Sequence, residues 1–164
     1  MSQHCVWVYG DHVNTDVIFP GKYTYTLKSP EEIASKALED LDPAFTREAR
    51  PGDVIVAGRN WGCGSSREQA VTALTGRGVP AIIAASFNGL YFRNCINQGL
   101  HPIVCPALVE HVRTGDEIEL DTARGYIRAA GRVFPIPPLP PSVRAILDAG
   151  GLMPMLQVRF GGGR

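Results

Sequence analysis

The run Gly58-Arg59-Asn60-Trp61-Gly62-Cys63-Gly64-Ser65-Ser66-Arg67-Glu68 places a thiol, two hydroxyls and a guanidinium within positions 63–67, threaded by glycines at 58, 62 and 64. Glycine lets a backbone take conformations closed to other residues and come close to a ligand. The apolar stretch Val54-Ile55-Val56-Ala57 before it reads as a strand, and Ala70, Val71, Ala73 and Leu74 after it continue a buried helical face. Ser65 with Glu68, and Ser66 with Gln69, have capping-box spacing, so the pattern predicts strand, glycine turn and helix, with the serines in the first helical turn. Such a helix start offers unpaired N–H groups and about half a positive charge, to which Arg67 adds a full charge in a planar fork. The chemistry on offer is the binding of a carboxylate or phosphate. The purely structural alternative makes Ser65 or Ser66 an N-cap and Arg67 a surface ion-pair partner.

Other chemistries fit less well. There is no Gly-x-x-x-x-Gly-Lys-Ser/Thr and no Gly-x-Gly-x-x-Gly in the register a nucleotide site needs. Gly62-Cys63-Gly64-Ser65 lacks the Gly-x-Ser-x-Gly of a hydrolase elbow. Cys5, Cys63, Cys95 and Cys105 form no Cys-x-x-Cys pair, so no metal site is expected in this chain; Cys5, Cys95 and Cys105 read as structural thiols in a reducing compartment, and Cys63, beside the glycine turn, as a candidate reactive one with no sequence feature that activates it. His4, His12, His101 and His111 lack the spacing of helical metal ligands.

With 164 residues and 45% hydrophobic content, the expectation is one domain spanning 1–164, with no room for a separate catalytic domain. A formal net charge of zero without a sustained basic stretch argues against nucleic acid. Met1-Ser2-Gln3-His4 does not open a secretory leader, and no apolar run nears the roughly 20 residues of a membrane span. A cytoplasmic protein without a membrane partner is the expectation.

The elements that must hold the turn follow from periodicity. Residues 4 to 9 read as a first strand, and a polar loop runs from Gly10 to Gly21. Ser29-Pro30-Glu31-Glu32 predicts a helix with Ser29 as N-cap and Ile33, Ala37 and Leu38 inward. Ala81 to Ala85 and Pro102 to Val104 read as strands, and residues 87 to 97 as a helix with Leu90, Tyr91, Cys95 and Ile96 inward. Glu117 to Asp121 alternates polar and apolar, and Gly125 to Arg128 followed by Arg132 to Phe134 continues it as a meander. Five prolines in 135 to 141 break regular structure before a helix capped by Ser142 and carrying Val143, Ile146 and Leu147, and the 161–164 tail is expected to fray. Helices and strands mixed in this order indicate an α/β or α+β domain.

Three motifs together resemble a known family. Gly-Cys-Gly-Ser-Ser-Arg-Glu, Gly10-Asp11-His12-Val13-Asn14-Thr15-Asp16-Val17-Ile18-Phe19-Pro20-Gly21, and Phe92-Arg93-Asn94-Cys95-Ile96-Asn97-Gln98-Gly99 are similar to those of 3-isopropylmalate dehydratase small subunits, in the aconitase superfamily. The resemblance implies the swivelling β/β/α fold of the aconitase C-terminal domain, and a heteromeric hydro-lyase that isomerises 2-isopropylmalate to 3-isopropylmalate in leucine biosynthesis. It also implies a large-subunit partner that carries a 4Fe-4S cluster, and a small dicarboxylic or tricarboxylic acid as substrate.

Carried over residue by residue, the resemblance makes Ser65 the proton-abstracting serine, Arg67 the grip on a substrate carboxylate, and Ser66 a further donor to that anion. Asp16 helps complete the site, with an Asx-turn as its structural alternative. Arg93, Asn94 and Asn97 read mainly as hydrogen-bonding support behind the serines. Thr24 and Tyr25, in Lys22-Tyr23-Thr24-Tyr25-Thr26, stand where homoaconitase-like relatives present an arginine to a distal carboxylate. An apolar substituent is therefore favoured, while a homoaconitase or dimethylmalate-type dehydratase small subunit and a non-catalytic anion-binding module stand as alternatives.

Overall fold

The computed structural model describes residues 2–161. Four strands run parallel: β1 (Ser2–Val8), β2 (Val54–Ala57), β3 (Ala81–Ala84) and β4 (His101–Val104). Three more, β5 (Glu117–Asp121), β6 (Tyr126–Ala129) and β7 (Arg132–Pro135), form an antiparallel meander. They make one sheet in the order β4-β3-β2-β1-β5-β6-β7, and β1 is the seam, parallel to β2 and antiparallel to β5.

The two halves carry different sequence patterns for a physical reason. Every residue of β2 and β3 is buried, as required of central parallel strands covered on both faces. In β5, Ile118 and Leu120 are buried while Glu117 is exposed, the alternation of a half-covered strand. Alternate residues of β2 enter different cores. Ile55 and Ala57 face a cluster with Leu74, Phe45 and Trp61, and Val54 and Val56 face one with Leu108, Ile127 and Phe134.

The first core is covered by helices inserted between the parallel strands. In chain order these are α1 (Thr15–Ile18), α2 (Pro30–Ala34), α3 (Pro43–Glu48), α4 (Gln69–Gly76) and α5 (Gly89–Asn97). Beyond them come α6 (Pro106–Val109), α7 (Pro141–Asp148) and α8 (Leu152–Gly161). Ser29 caps α2 as expected, accepting from the Glu32 N–H at 3.2 Å. The expected helix over 30 to 38 stops at Ala34, however, and Leu38 takes a left-handed φ of 57°. That bend lets the Leu38 N–H reach the Ile18 carbonyl at 2.8 Å while its side chain stays buried.

Four further expectations are corrected. Helix α4 begins at Gln69, so neither Ser65 nor Ser66 lies in its first turn, and its N-cap residue Glu68 makes no side-chain cap bond. Ser142 does not cap α7: Pro140 holds that position and Pro141 starts the helix, so Ser142 falls inside the first turn. Leu90 sits on the outer face of α5, 41% exposed, whereas Tyr91, Cys95 and Ile96 face inward. Gly161, the first residue of the tail expected to fray, closes helix α8, and 162–164 lie outside the described residues. Among the described residues, no helix is long and apolar enough to cross a membrane.

Helix α2 packs tightly on the last turn of α4: a Cβ on Gly76 would lie 2.6 Å from Ala34 Cβ and 3.2 Å from the Pro30 carbonyl oxygen. Alanine ordinarily stabilises a helix by about 1 kcal/mol relative to glycine. Here the close approach reverses that sign, and Gly76→Ala is expected to lower unfolding free energy by about 1–3 kcal/mol in urea titrations.

Candidate functional site

Strand β2 delivers the glycine turn to a place where three loops meet. Gly62 donates its N–H to the Val13 carbonyl at 2.8 Å, and the Thr15 N–H reaches the Cys63 carbonyl at 2.8 Å. On the other side Trp61 N–H bonds the Ser86 carbonyl at 3.1 Å, and Asn88 N–H the Trp61 carbonyl at 2.9 Å. The turn therefore laces the loop after β1 to the loop after β3. Gly62 has a φ of 80°, and a Cβ there would lie 2.2 Å from the Tyr91 ring. Only glycine meets both conditions.

Past Gly64 the chain runs without helical structure through Ser65, Ser66 and Arg67, and the capping-box spacing misleads because the Ser65 and Gln69 side chains bond elsewhere. Ser65 Oγ accepts from Arg67 Nε at 3.0 Å and lies 3.2 Å from Thr15 Oγ1. The guanidinium can only donate, so Ser65 oxygen is the acceptor of that bond. Arg67 Nη1 donates to Thr24 Oγ1, and Nη2 forms an ion pair with Asp16 Oδ1. Gln69, the expected capping-box partner of Ser66, instead donates Nε2 to the Thr24 carbonyl at 3.0 Å.

Helix α5 supports this stretch from behind. Asn94 Nδ2 donates to the Ser66 carbonyl at 3.3 Å, and Gln98 Nε2 to the Glu68 carbonyl at 3.1 Å. Asn94 thus has the supporting role expected of it. Arg93 and Asn97 are exposed.

Of the residues singled out by sequence, Asp16, Thr24 and Ser65 all meet Arg67 directly. Ser66 stands beside them, exposed, with its carbonyl tied down. Tyr25 follows Thr24 and projects outward at 89% exposure. Two members of the cluster were not singled out: Thr15, whose side chain is buried against Ser65, and Gln69. Thr15 sits between Asn14 and Asp16 in a motif already noted, and its signal was position alone; Gln69 carried a signal that pointed to the wrong partner.

The arrangement can present a serine oxygen under a guanidinium donor on an accessible surface: Ser65 and Ser66 are exposed, and 65% of the Asp16 side chain is accessible. It offers no nest for a metal. Among the described residues, no three His, Cys, Asp or Glu groups come together as metal ligands. Cys95 lies in the helix-covered core and Cys105 in the core on the other face of the sheet, and burial raises the pKa of both thiols.

Replacing Gly62 tests the close approach at the base of the turn. Gly62→Ala is expected to cost about 2–4 kcal/mol of stability, from left-handed strain plus the clash with Tyr91, and to cost less in a Tyr91→Ala background by the part due to the clash. Denaturant titrations of the single and double variants measure both parts.

Comparison with known proteins agrees with this architecture. The family described as the aconitase C-terminal domain matches residues 12–108. The 3-isopropylmalate dehydratase small subunit of Heliobacterium modesticaldum is 44% identical over 161 residues, covering 97% of this chain and 96% of its own. The isopropylmalate/citramalate isomerase small subunit of Methanocaldococcus jannaschii is 44% identical over 157 residues, covering 94% and 93%. A crystal structure of 3-isopropylmalate dehydratase from Methanocaldococcus jannaschii superposes with a TM-score of 0.90 at 40% identity, over 96% of this chain and 93% of that one. With relatives this similar along almost its whole length, the chain belongs to the family of 3-isopropylmalate dehydratase small subunits, built on the aconitase C-terminal domain.

Proposed function

We propose that this chain is the small subunit of a cytoplasmic heteromeric hydro-lyase that isomerises 2-isopropylmalate to 3-isopropylmalate by dehydration and rehydration, in leucine biosynthesis. The observation that carries the reading is the bond from Arg67 Nε to Ser65 Oγ, on an exposed turn of a chain from this family. Family membership supports a small dicarboxylic or tricarboxylic acid as substrate and a large subunit as partner, and neither nucleic acid nor membrane enters the reading. A site this open needs a second surface to exclude water, which the large subunit supplies.

The chemical difficulty is removing a proton next to an ionised carboxylate while a hydroxyl departs from the neighbouring carbon. Ser65 is the base in this reading. A serine hydroxyl is a poor base in water, but donation from a cationic guanidinium favours its alkoxide, and Thr15 Oγ1 can donate to the same oxygen. Arg67 also grips a substrate carboxylate with its outer nitrogens, now directed to Thr24 and Asp16. Ser66 adds a donor to the same anion. Asp16, largely accessible, orients a proton-transfer group from the large subunit.

The 4Fe-4S cluster of the family's reaction is assigned to the large subunit. Cys95 and Cys105, separated by the sheet and buried, do not fit a cluster site in this chain.

Tyr25 and Thr24 stand where a distal carboxylate would otherwise be met, and neither carries positive charge, which supports a substrate with an apolar substituent. Citramalate is a second substrate to test, because one relative is named an isopropylmalate/citramalate isomerase.

The decisive experiment is anaerobic co-expression with the cognate large subunit and assay of both directions on isopropylmalate, citramalate, homoaconitate and dimethylmalate substrates. Activity is expected only in the complex and to be strongest on isopropylmalate. Ser65→Ala should leave complex formation intact and stability within about 1 kcal/mol, while lowering kcat by about two orders of magnitude or more. Retained turnover would remove Ser65 from the mechanism. Tyr25→Arg should raise the relative kcat/KM for a substrate with a distal carboxylate; an unchanged ratio would move specificity to another element.

A further inference from the structure

The loop that carries Tyr25 is anchored by Tyr23 and Leu27, which pack against the helix-covered core, and by the Lys22–Asp40 ion pair at 3.7 Å, while Thr24 is its link to the segment after the serine turn. Its internal bonds are those of a tight turn: Thr24 N–H to the Gly21 carbonyl at 3.1 Å, and Leu27 N–H to the Tyr23 carbonyl at 3.1 Å. Two bonds then tie Thr24 to the segment that leaves the serine turn. Arg67 takes its hydroxyl, and Gln69 donates to its backbone carbonyl at 3.0 Å. Gly21 brings the same loop close to the cluster, since a Cβ there would lie 3.3 Å from Asp16 Oδ1 and 3.4 Å from Arg67 Nη1. The hydroxyl bond uses a nitrogen that the substrate carboxylate would need, so it is exchangeable; the carbonyl bond from Gln69 is not in that competition.

We infer that Gln69 is a positioning residue that latches the substrate-facing loop to helix α4, through the Thr24 carbonyl, and so fixes where Tyr25 stands relative to Arg67. The inference rests on the reading of the serine turn given above. Thr24 has its side chain on Arg67 and its carbonyl on Gln69, so the residue the loop presents outward is Tyr25, 89% exposed. When a substrate carboxylate takes Nη1 from Thr24, the Gln69 bond keeps Thr24, and Tyr25 beside it, tied to helix α4, while Tyr23 and Leu27 stay anchored in the core. Loss of the latch therefore acts on substrate binding and on discrimination among malate substituents, more than on the proton transfer at Ser65.

Gln69→Met keeps length and removes the donor, and Gln69→Lys keeps a donor at the tip. In the complex, Gln69→Met is expected to raise KM for 2-isopropylmalate about five- to tenfold with kcat within twofold, the scale of one lost hydrogen bond, and to narrow the preference for isopropylmalate over citramalate. Gln69→Lys should recover most of both. In the free subunit, trypsin cleavage after Lys22 and Lys28, both exposed, should be several-fold faster in Gln69→Met and near wild type in Gln69→Lys, at unchanged melting temperature. Cleavage at the wild-type rate in Gln69→Met, or faster cleavage with KM unmoved, would overturn the inference, as would a fall in kcat at constant KM. A wild-type complex inactive on isopropylmalate would sink the functional reading alone, since the cleavage rates decide the latch without any turnover.

Discussion

One guanidinium joins three separate stretches of chain. Arg67 bonds Ser65 within its own turn, Thr24 in the loop after the short helix α1, and Asp16 inside that helix. It can do so because it is only 23% exposed and stands on a closely tied base: Gly62 pressed against the Tyr91 ring, and Asn94 and Gln98 holding the carbonyls on either side. A planar group with donors pointing in several fixed directions suits this task in a way a lysine ammonium does not. Ser66 and Tyr25 flank this knot, with the Ser66 carbonyl held by Asn94 and the Thr24 carbonyl by Gln69.

The sheet supplies the stiffness behind that base. Parallel strands β2 and β3, buried on both faces, end beside one another, and the loops that follow them are cross-linked by the Trp61 and Asn88 backbone bonds. The antiparallel meander lies on the far side of β1 and contributes Ile127 and Phe134 to the opposite core, without reaching the serine turn. The chain thus divides its labour. The parallel half with α1, α4 and α5 positions functional groups, and the meander with α6 covers the other face.

The polar groups gathered at Arg67 lie on a surface and not in a deep cavity. The bonds from Arg67 Nε and Thr15 Oγ1 to Ser65 Oγ are made within this one chain, so these groups are preorganised by its own fold. The proposed role of Gln69, whose side chain bonds the Thr24 carbonyl, draws on the same preorganisation.

Much of this was legible in the chain itself. Apolar runs at 54–57 and 81–84 announced central strands because only a strand covered on both faces can be uniformly apolar, and Ser29-Pro30 announced a helix start because cap and proline act locally. The motif around Ser65, with its companions near Asp16 and Asn94, specified the family and the residue types at the site. Local rules failed where partners lie far away in sequence. Ser65 and Ser66 have cap spacing, yet Ser65 is claimed by Arg67 and Thr15, and Gln69 by Thr24, so α4 starts later. Leu38 leaves the helix for a bond to Ile18, and Leu90 faces outward on α5. Sequence determined which groups were available, because periodicity, capping and turn chemistry act over a few residues. Only the tertiary structure decided which of them meet, because hydrogen bonds spanning some fifty residues depend on how the sheet brings its loops together.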